Sequence, residues 1–156
     1  VNPTQFGPNE DYLKYPRPFE RDVELCEKEG VDLIFAPSVE EMYVSSPTKI
    51  HVPLVTEEFE GRLRPGHFDG VATVVAKLFG IMRPHCAVFG LKDLQQCAVI
   101  QKLVEDLNLR VELIFEQTLR EESGLARSSR NVYLSEQERA GAAQIYQSLQ
   151  QCRASI

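Results

Sequence analysis

Cys86–Ala87–Val88–Phe89–Gly90–Leu91–Lys92–Asp93–Leu94–Gln95–Gln96 passes from four apolar residues, through a glycine and a charged pair, into a helical pattern. A strand that ends at the start of a helix is where an open α/β sheet presents its ligands. Lys92 is the telling residue. The positive end of a helix dipole disfavours a cation unless an anion lies close by. The plain reading of Asp93 is a helix N-cap that satisfies orphan backbone amides. Further along, Gly124–Leu125–Ala126–Arg127–Ser128–Ser129–Arg130–Asn131 sets two hydroxyls between two guanidiniums. That composition suits a clamp for a triphosphate, and its plain alternative is a solvated turn.

Strands and helices alternate on both sides of these stretches. Pro18 is placed to begin a helix in which Phe19, Val23 and Cys26 recur at helical spacing, and Gly30 supplies the stop. A short apolar strand is expected over 31–37, followed by a brief helix signalled by Ser38 and Glu41 as a capping box. The region 43–65 is rich in Ser, Pro, Thr and charge, with a strand expected at 50–55. Phe68, Val71, Ala72, Val75, Phe79 and Met82 then mark one stripe of a long helix that Pro84 ends. The strand 86–89 follows. After it come a helix over 93–107 with apolar face Cys97, Ile100, Val104 and Leu107, and a strand over 110–115. The polar loop 119–131 leads to a last helix capped by Ser135 with Glu138. Strands and helices in this alternation predict an α/β fold with a mainly parallel sheet.

Composition narrows the possible partners. The chain has 156 residues, 43% hydrophobic and 26% charged, and its net charge of −6 argues against nucleic acid as the main partner. No apolar run approaches the ~20 residues of a membrane span, and no signal-peptide pattern opens the chain. Cys26, Cys86, Cys97 and Cys152 form no Cys-X-X-Cys pair, and most are expected to be buried, reduced thiols of a cytoplasmic protein. His51, His67 and His85 lack ligand spacing.

With the opening Val1–Asn2–Pro3–Thr4–Gln5–Phe6, the two stretches quoted above resemble the ATP-binding half of the pantothenate synthetase (pantoate–β-alanine ligase) family. The resemblance covers nearly the whole chain. It implies a Rossmann-like nucleotidyltransferase fold, similar to class I aminoacyl-tRNA synthetases, with a three-layer parallel sheet that is incomplete here. Residues 1–131 would form the ATP- and pantoate-binding domain without its first βα unit, and 132–156 the first helix of a small C-terminal domain. The implied activity is ATP-dependent condensation of (R)-pantoate with β-alanine through a pantoyl adenylate, releasing pyrophosphate and then AMP. The family's His-X-Gly-His segment, which carries its proton donor, would precede Val1, so the chain reads as an internal piece of the enzyme.

Site residues follow from the same resemblance. Gly90, Leu91, Lys92, Asp93, Leu119, Arg127, Ser128, Ser129 and Arg130 match ATP-binding positions, with Lys92 and Arg130 stabilising charge on the phosphates. Gln5 and Gln96 match pantoate-binding positions, and Gln5 also the β-alanine position. Asp22 matches a carboxylate near magnesium. Val74 and Val75 match positions near the pantoate methyl groups, and Arg64–Pro65–Gly66–His67–Phe68 matches a further family segment, with His67 either a structural hinge or a substrate neighbour. Three residues depart from the pattern. Leu91 replaces an acidic residue, Arg127 a Met or Leu, and Arg21 a second acidic residue found in some members. ATP, Mg2+, pantoate and β-alanine are the implied ligands, with no nucleic acid or membrane partner, a cytoplasmic location and a homodimer for the full-length enzyme. A related nucleotidyltransferase and a non-catalytic nucleotide-binding fragment are the alternatives, and Gln5 and Gln96 favour the ligase lineage over the first.

Overall fold

A computed structural model describes residues 1–45 and 48–155; Ser46 and Pro47 of the Ser/Pro-rich stretch, and Ile156, lie outside the described residues. The chain forms two compact units, Val1–Lys77 and Leu78–Ile156. The boundary falls within one helix.

In the first unit, Asn2 caps a 3-10 turn, Pro3–Gln5. Helix α1 (Phe19–Lys28) begins one residue after Pro18. It ends as expected: Gly30 takes φ +75°, and the Val31 N–H reaches back to the Cys26 carbonyl at 2.9 Å. Helix α2 (Val39–Met42) carries the full Ser38/Glu41 capping box. After α3 (Glu60–Leu63), helix α4 (His67–Met82) supplies most of the core. Phe68, Val71, Ala72 and Val75 are buried with Met42 and Val52, whereas Met82 at the far end of the expected stripe is exposed. Thr73 is the buried polar residue of this core, and its hydroxyl accepts the Ile50 N–H at 2.9 Å.

Two expected strands are absent. Residues 31–37 form no ladder, and Val31, Leu33, Ile34 and Phe35 are exposed. A strand exists only through its neighbours, and no described backbone pairs with 32–37. Residues 50–55 form no strand and turn from Pro53 onward: Ile50 donates to a side chain, Pro53 has no N–H and Leu54 adopts φ +67°.

The second unit is built on a βαβ crossover. Strands β1 (Cys86–Gly90) and β2 (Glu112–Glu116) pair in parallel, from Cys86 against Glu112 to Gly90 against Glu116, and α5 (Leu94–Asp106) connects them. Cys97, Val99, Ile100 and Leu103 are the buried face of α5. The expected face is therefore rotated, since Val104 is half-buried and Leu107 exposed. The last helix, α6 (Glu136–Ala154), has the complete Ser135/Glu138 capping box and buries Ala143. All four cysteines are free thiols. Against expectation only Cys97 is buried; Cys26 is half-buried, and Cys86 and Cys152 are exposed.

Gly70 holds the first unit together by what it lacks. A Cβ there would lie 2.3 Å from the Thr4 carbonyl oxygen and 2.6 Å from the Gln5 nitrogen. Backbone cannot yield as a flexible side chain can. Gly70→Ala is expected to cost about 1–3 kcal/mol, read as a lowered urea midpoint. Gly80→Ala on the same helix, with open space around it, is expected to stabilise by about 0.5–1 kcal/mol. Equal midpoints for the two variants would show that the close approach is not maintained.

Candidate functional site

The predicted site residues fall into two groups, one in each unit. In the first unit, hydrogen bonds converge on the 3-10 turn at Pro3–Gln5. The Asn2 carboxamide oxygen accepts the Tyr43 hydroxyl at 2.7 Å and the Thr4 hydroxyl at 3.0 Å. Its nitrogen donates to the Gln5 side-chain oxygen at 2.8 Å and to the Gly70 carbonyl at 3.2 Å. Among the described residues, the Gln5 Nε2 donor is thus left unspent, the polarity needed to meet a carboxylate or hydroxyl oxygen. A cavity of ≈ 240 Å³ opens nearby, lined by Thr4, Tyr43, Lys49, His67, Asp69 and Thr73 among others; Gln5 does not line it. Val74 is half-buried and Val75 is core. Asp22 is exposed on α1. No group of three His, Cys, Asp or Glu able to hold a metal ion exists among the described residues.

In the second unit, β1 delivers Gly90 to a 3-10 turn, Leu91–Asp93, that precedes α5. Burial first, and then the charge of Asp93, push the Cys97 thiol up, so it stays protonated and donates to the Gly90 carbonyl at 3.4 Å. Asp93 occupies the N-cap position of α5 but makes no capping hydrogen bond with its side chain. Its carboxylate takes the Lys92 ammonium instead, at 3.1 Å. Gln96 is half-buried, and its side chain makes no hydrogen bond to any described residue, which leaves its amide available.

The polar loop is not a plain solvated turn. Arg120 and Ala126 form an antiparallel bridge, with the Arg127 N–H on the Leu119 carbonyl at 2.9 Å and the Glu121 N–H on the Leu125 carbonyl at 2.8 Å. Gly124 turns this hairpin at φ +91°, with a Tyr146 ring carbon 3.1 Å from where a Cβ would stand. The Arg120 guanidinium lies 3.8 Å from the centre of the Tyr146 ring and donates to the Gly124 carbonyl at 3.1 Å. Arg139 of α6 bonds the Glu121 carboxylate at 2.6 Å and the Asn131 carbonyl at 3.3 Å. Asn131 in turn donates to the Ala126 carbonyl at 3.0 Å. Beyond the hairpin, Ser128 caps the 3-10 turn Ser129–Tyr133 by accepting the Arg130 N–H at 3.3 Å. A cavity of ≈ 320 Å³ gathers Leu91, Lys92, Arg120, Gly124 and Tyr146. Of the expected ATP residues, Leu91 and Lys92 line it, whereas Gly90, Asp93, Leu119, Arg127, Ser128, Ser129 and Arg130 do not.

Comparison with known proteins gives this geometry a lineage. The sequence profile of the family described as pantoate-beta-alanine ligase matches residues 1–155. The chain belongs to the pantoate–β-alanine ligase family. It is 61% identical to a pantothenate synthetase of Caldicellulosiruptor bescii over 150 residues, 96% of this chain and 53% of the relative. With a pantothenate synthetase of Aquifex aeolicus the identity is 57%, over 95% of this chain and 53% of the relative. The crystal structure of the Thermus thermophilus enzyme superposes with a TM-score of 0.92 at 53% identity, covering 95% of this chain and 54% of that one. A pantoate-beta-alanine ligase from Francisella tularensis, complexed with beta-gamma ATP and beta-alanine, gives 0.89 at 39% identity, covering 96% of this chain and 58% of that one. The chain thus spans about half the length of the curated relatives it matches. The α/β fold with a small parallel sheet is that of a Rossmann-like nucleotidyltransferase, as the sequence predicts.

Sequence reading missed Arg120, Tyr146 and Arg139. Their only signal was cationic and aromatic side chains at positions that become neighbours once α6 packs on the hairpin. Arg139 and Glu121 are both partly exposed, so their pairing holds the hairpin modestly. Arg139→Met is expected to speed hydrogen exchange at the Glu121, Gly124 and Arg127 amides by roughly two- to fivefold, leaving the β1 amides unchanged. Mass-spectrometric exchange measures both regions in one sample.

Proposed function

We propose that this chain provides the ATP- and pantoate-binding part of a pantoate–β-alanine ligase. In the first step a pantoate carboxylate oxygen attacks the α-phosphorus of ATP, and the bond to the bridging oxygen of pyrophosphate breaks. In the second, the β-alanine amine attacks the acyl carbon of pantoyl adenylate, and AMP leaves as the amide forms. The first step calls for alignment and charge neutralisation more than covalent help. Lys92 and Arg130 supply positive charge to the phosphates, with Gly90, Leu91, Asp93, Leu119, Arg127, Ser128 and Ser129 completing the ATP site. Gln5 and Gln96 orient pantoate, and Gln5 also meets β-alanine.

One observation carries this reading. Lys92, at the carboxyl end of β1, lines one cavity with Arg120 and the hairpin, which assembles cationic groups beside a helix start in an acidic chain. Magnesium enters as part of the MgATP substrate. Asp22, proposed as its neighbour, has no cluster of further donors beside it among the described residues, so no step runs through it. None of the three histidines in this sequence lies in a His-X-Gly-His segment, and no proton transfer is assigned to them. We assign residues 1–131 to the nucleotide domain and 132–156 to the start of the C-terminal domain. The full-length enzyme is proposed to act as a cytoplasmic homodimer on small molecules alone. No helix among the described residues is long and apolar enough to cross a membrane.

The test is AMP release from MgATP by the purified chain, with and without D-pantoate and β-alanine. Release that requires both acids supports the ligase reading for this polypeptide. ATP binding without turnover, weakened about tenfold or more by Lys92→Ala, would mark a nucleotide-binding part that needs further protein to react. ATP affinity unchanged in Lys92→Ala would remove Lys92 from the site.

A further inference from the structure

Behind Gln5 stands a chain of side chains to which the ligase reading gives no role. Glu10 grips the Arg64 guanidinium with both oxygens, at 2.7 Å from Nε and 2.5 Å from Nη2. The third guanidinium nitrogen, Nη1, lies 3.2 Å from His67 Nε2. The other imidazole nitrogen, Nδ1, lies 2.7 Å from the backbone carbonyl oxygen of Gln5. These contacts determine the tautomer. A guanidinium only donates, so Nε2 must accept, and a carbonyl only accepts, so Nδ1 must carry the proton. His67 is therefore neutral, with its proton directed at Gln5.

We propose that Glu10, Arg64 and His67 form a relay that fixes the Gln5 backbone, making His67 a positioning residue for the glutamine that meets pantoate. The proposal rests on the reading of Gln5 given above. Three constraints meet on Gln5. Asn2 holds its side-chain oxygen, Gly70 lets α4 approach its backbone, and His67 holds its carbonyl. Only the last runs through a titratable group. Protonation at Nε2 would set two donors face to face and break the link to Arg64.

The charged groups around the ring are Arg64, Glu10 from the N-terminal loop and Glu60 from α3, with the Phe68 ring 4.8 Å away. Burial is the largest influence and lowers the His67 pKa below its ordinary 6.5; the Gln5 carbonyl and the two glutamates act in the opposite sense, and Arg64 adds to the lowering. The Arg64 hydrogen bond likewise lowers Glu10 below 4.5. A histidine with a depressed folded-state pKa contributes stability that is complete above 6.5 and is lost as pH falls through the depressed value.

Two measurements on the 156-residue chain test the relay. Long-range 1H–15N spectra of the imidazole are expected to show the Nδ1–H tautomer at pH 7 and a midpoint below 6.5, with the Gln5 carbonyl carbon shifting over the same titration. D-Pantoate affinity by calorimetry is expected to fall about tenfold in His67→Ala. His67→Asn keeps a donor near the Nδ1 position and cannot titrate. It is expected to stay within about threefold of wild type at pH 7 and to remain flat on acidification, where wild type weakens. Glu10→Gln removes a charge that raises the His67 pKa and is expected to lower the His67 midpoint further, read in the same imidazole titration. An Nε2–H tautomer, or a Gln5 carbonyl indifferent to the titration, would overturn the relay. A coupled titration in a chain that binds no D-pantoate would overturn the reading of Gln5 while leaving the relay's geometry standing.

Discussion

The parallel pairing of β1 with β2 is the constraint on which the arrangement of the second unit depends. Two parallel strands must be joined by a crossover, and here α5 is that crossover. Its N-terminus has to start beside the end of β1, which places Gly90, Leu91, Lys92 and Asp93 at one edge whatever else the chain does. Fully buried Ile100 and Leu103 keep α5 in place. The Cys97 thiol, kept protonated by burial, ties the first turn of the helix to the last carbonyl of the strand. The cation at Lys92 is electrostatically awkward at a helix start, and its pairing with Asp93 is the local compensation. An anion arriving at the helix start finds that compensation within reach of exchange.

In the other unit, neutral groups surround Gln5. A backbone approach that only Gly70 allows brings the 3-10 turn against α4, and the polar groups then interlock through Asn2, Tyr43 and Gln5. Glu10 and Arg64 neutralise one another. What remains on Gln5 is an amide N–H, a donor without net charge. Such a group orients a carboxylate without binding it so tightly that its nucleophilicity is lost. Under the proposed function, the two kinds of site would answer the two demands of acyl-adenylate formation: neutralise the phosphates, and align the acid.

Local signals were legible in the sequence, and long-range pairing was not. The Ser38/Glu41 and Ser135/Glu138 boxes and the stop at Gly30 depend on residues within a few positions of one another, and each is present. Apolar composition alone predicted strands at 31–37 and 50–55. A strand needs a partner backbone, and at 50–55 Pro53 and the positive φ of Leu54 oppose a ladder as well. The α5 face was read one turn-position off because periodicity does not say which side the sheet will occupy. Asp93 was read as a cap because its position suits one, but the adjacent ammonium won the carboxylate. The roles of Gln5, Gln96 and the serines came from family resemblance, since a glutamine or a Ser-Ser pair in isolation specifies no ligand.

The hairpin at 119–127 shows why the second unit's cavity could not be inferred from its own stretch of chain. Arg120 is held by an aromatic face and a carbonyl, not by a carboxylate, so its charge is oriented but not cancelled. Both the ring and the Arg139 that steadies the hairpin belong to α6, a helix whose sequence reads as an ordinary amphipathic element. A guanidinium cancelled by Glu121 would have made the same loop a structural strut. Because Arg139 takes Glu121 instead, the loop keeps a positive wall toward the cavity that Lys92 also lines. The cationic character of this cavity therefore depends on how α6 divides the available carboxylates, a choice made by packing at a distance along the chain and not by the loop that displays it.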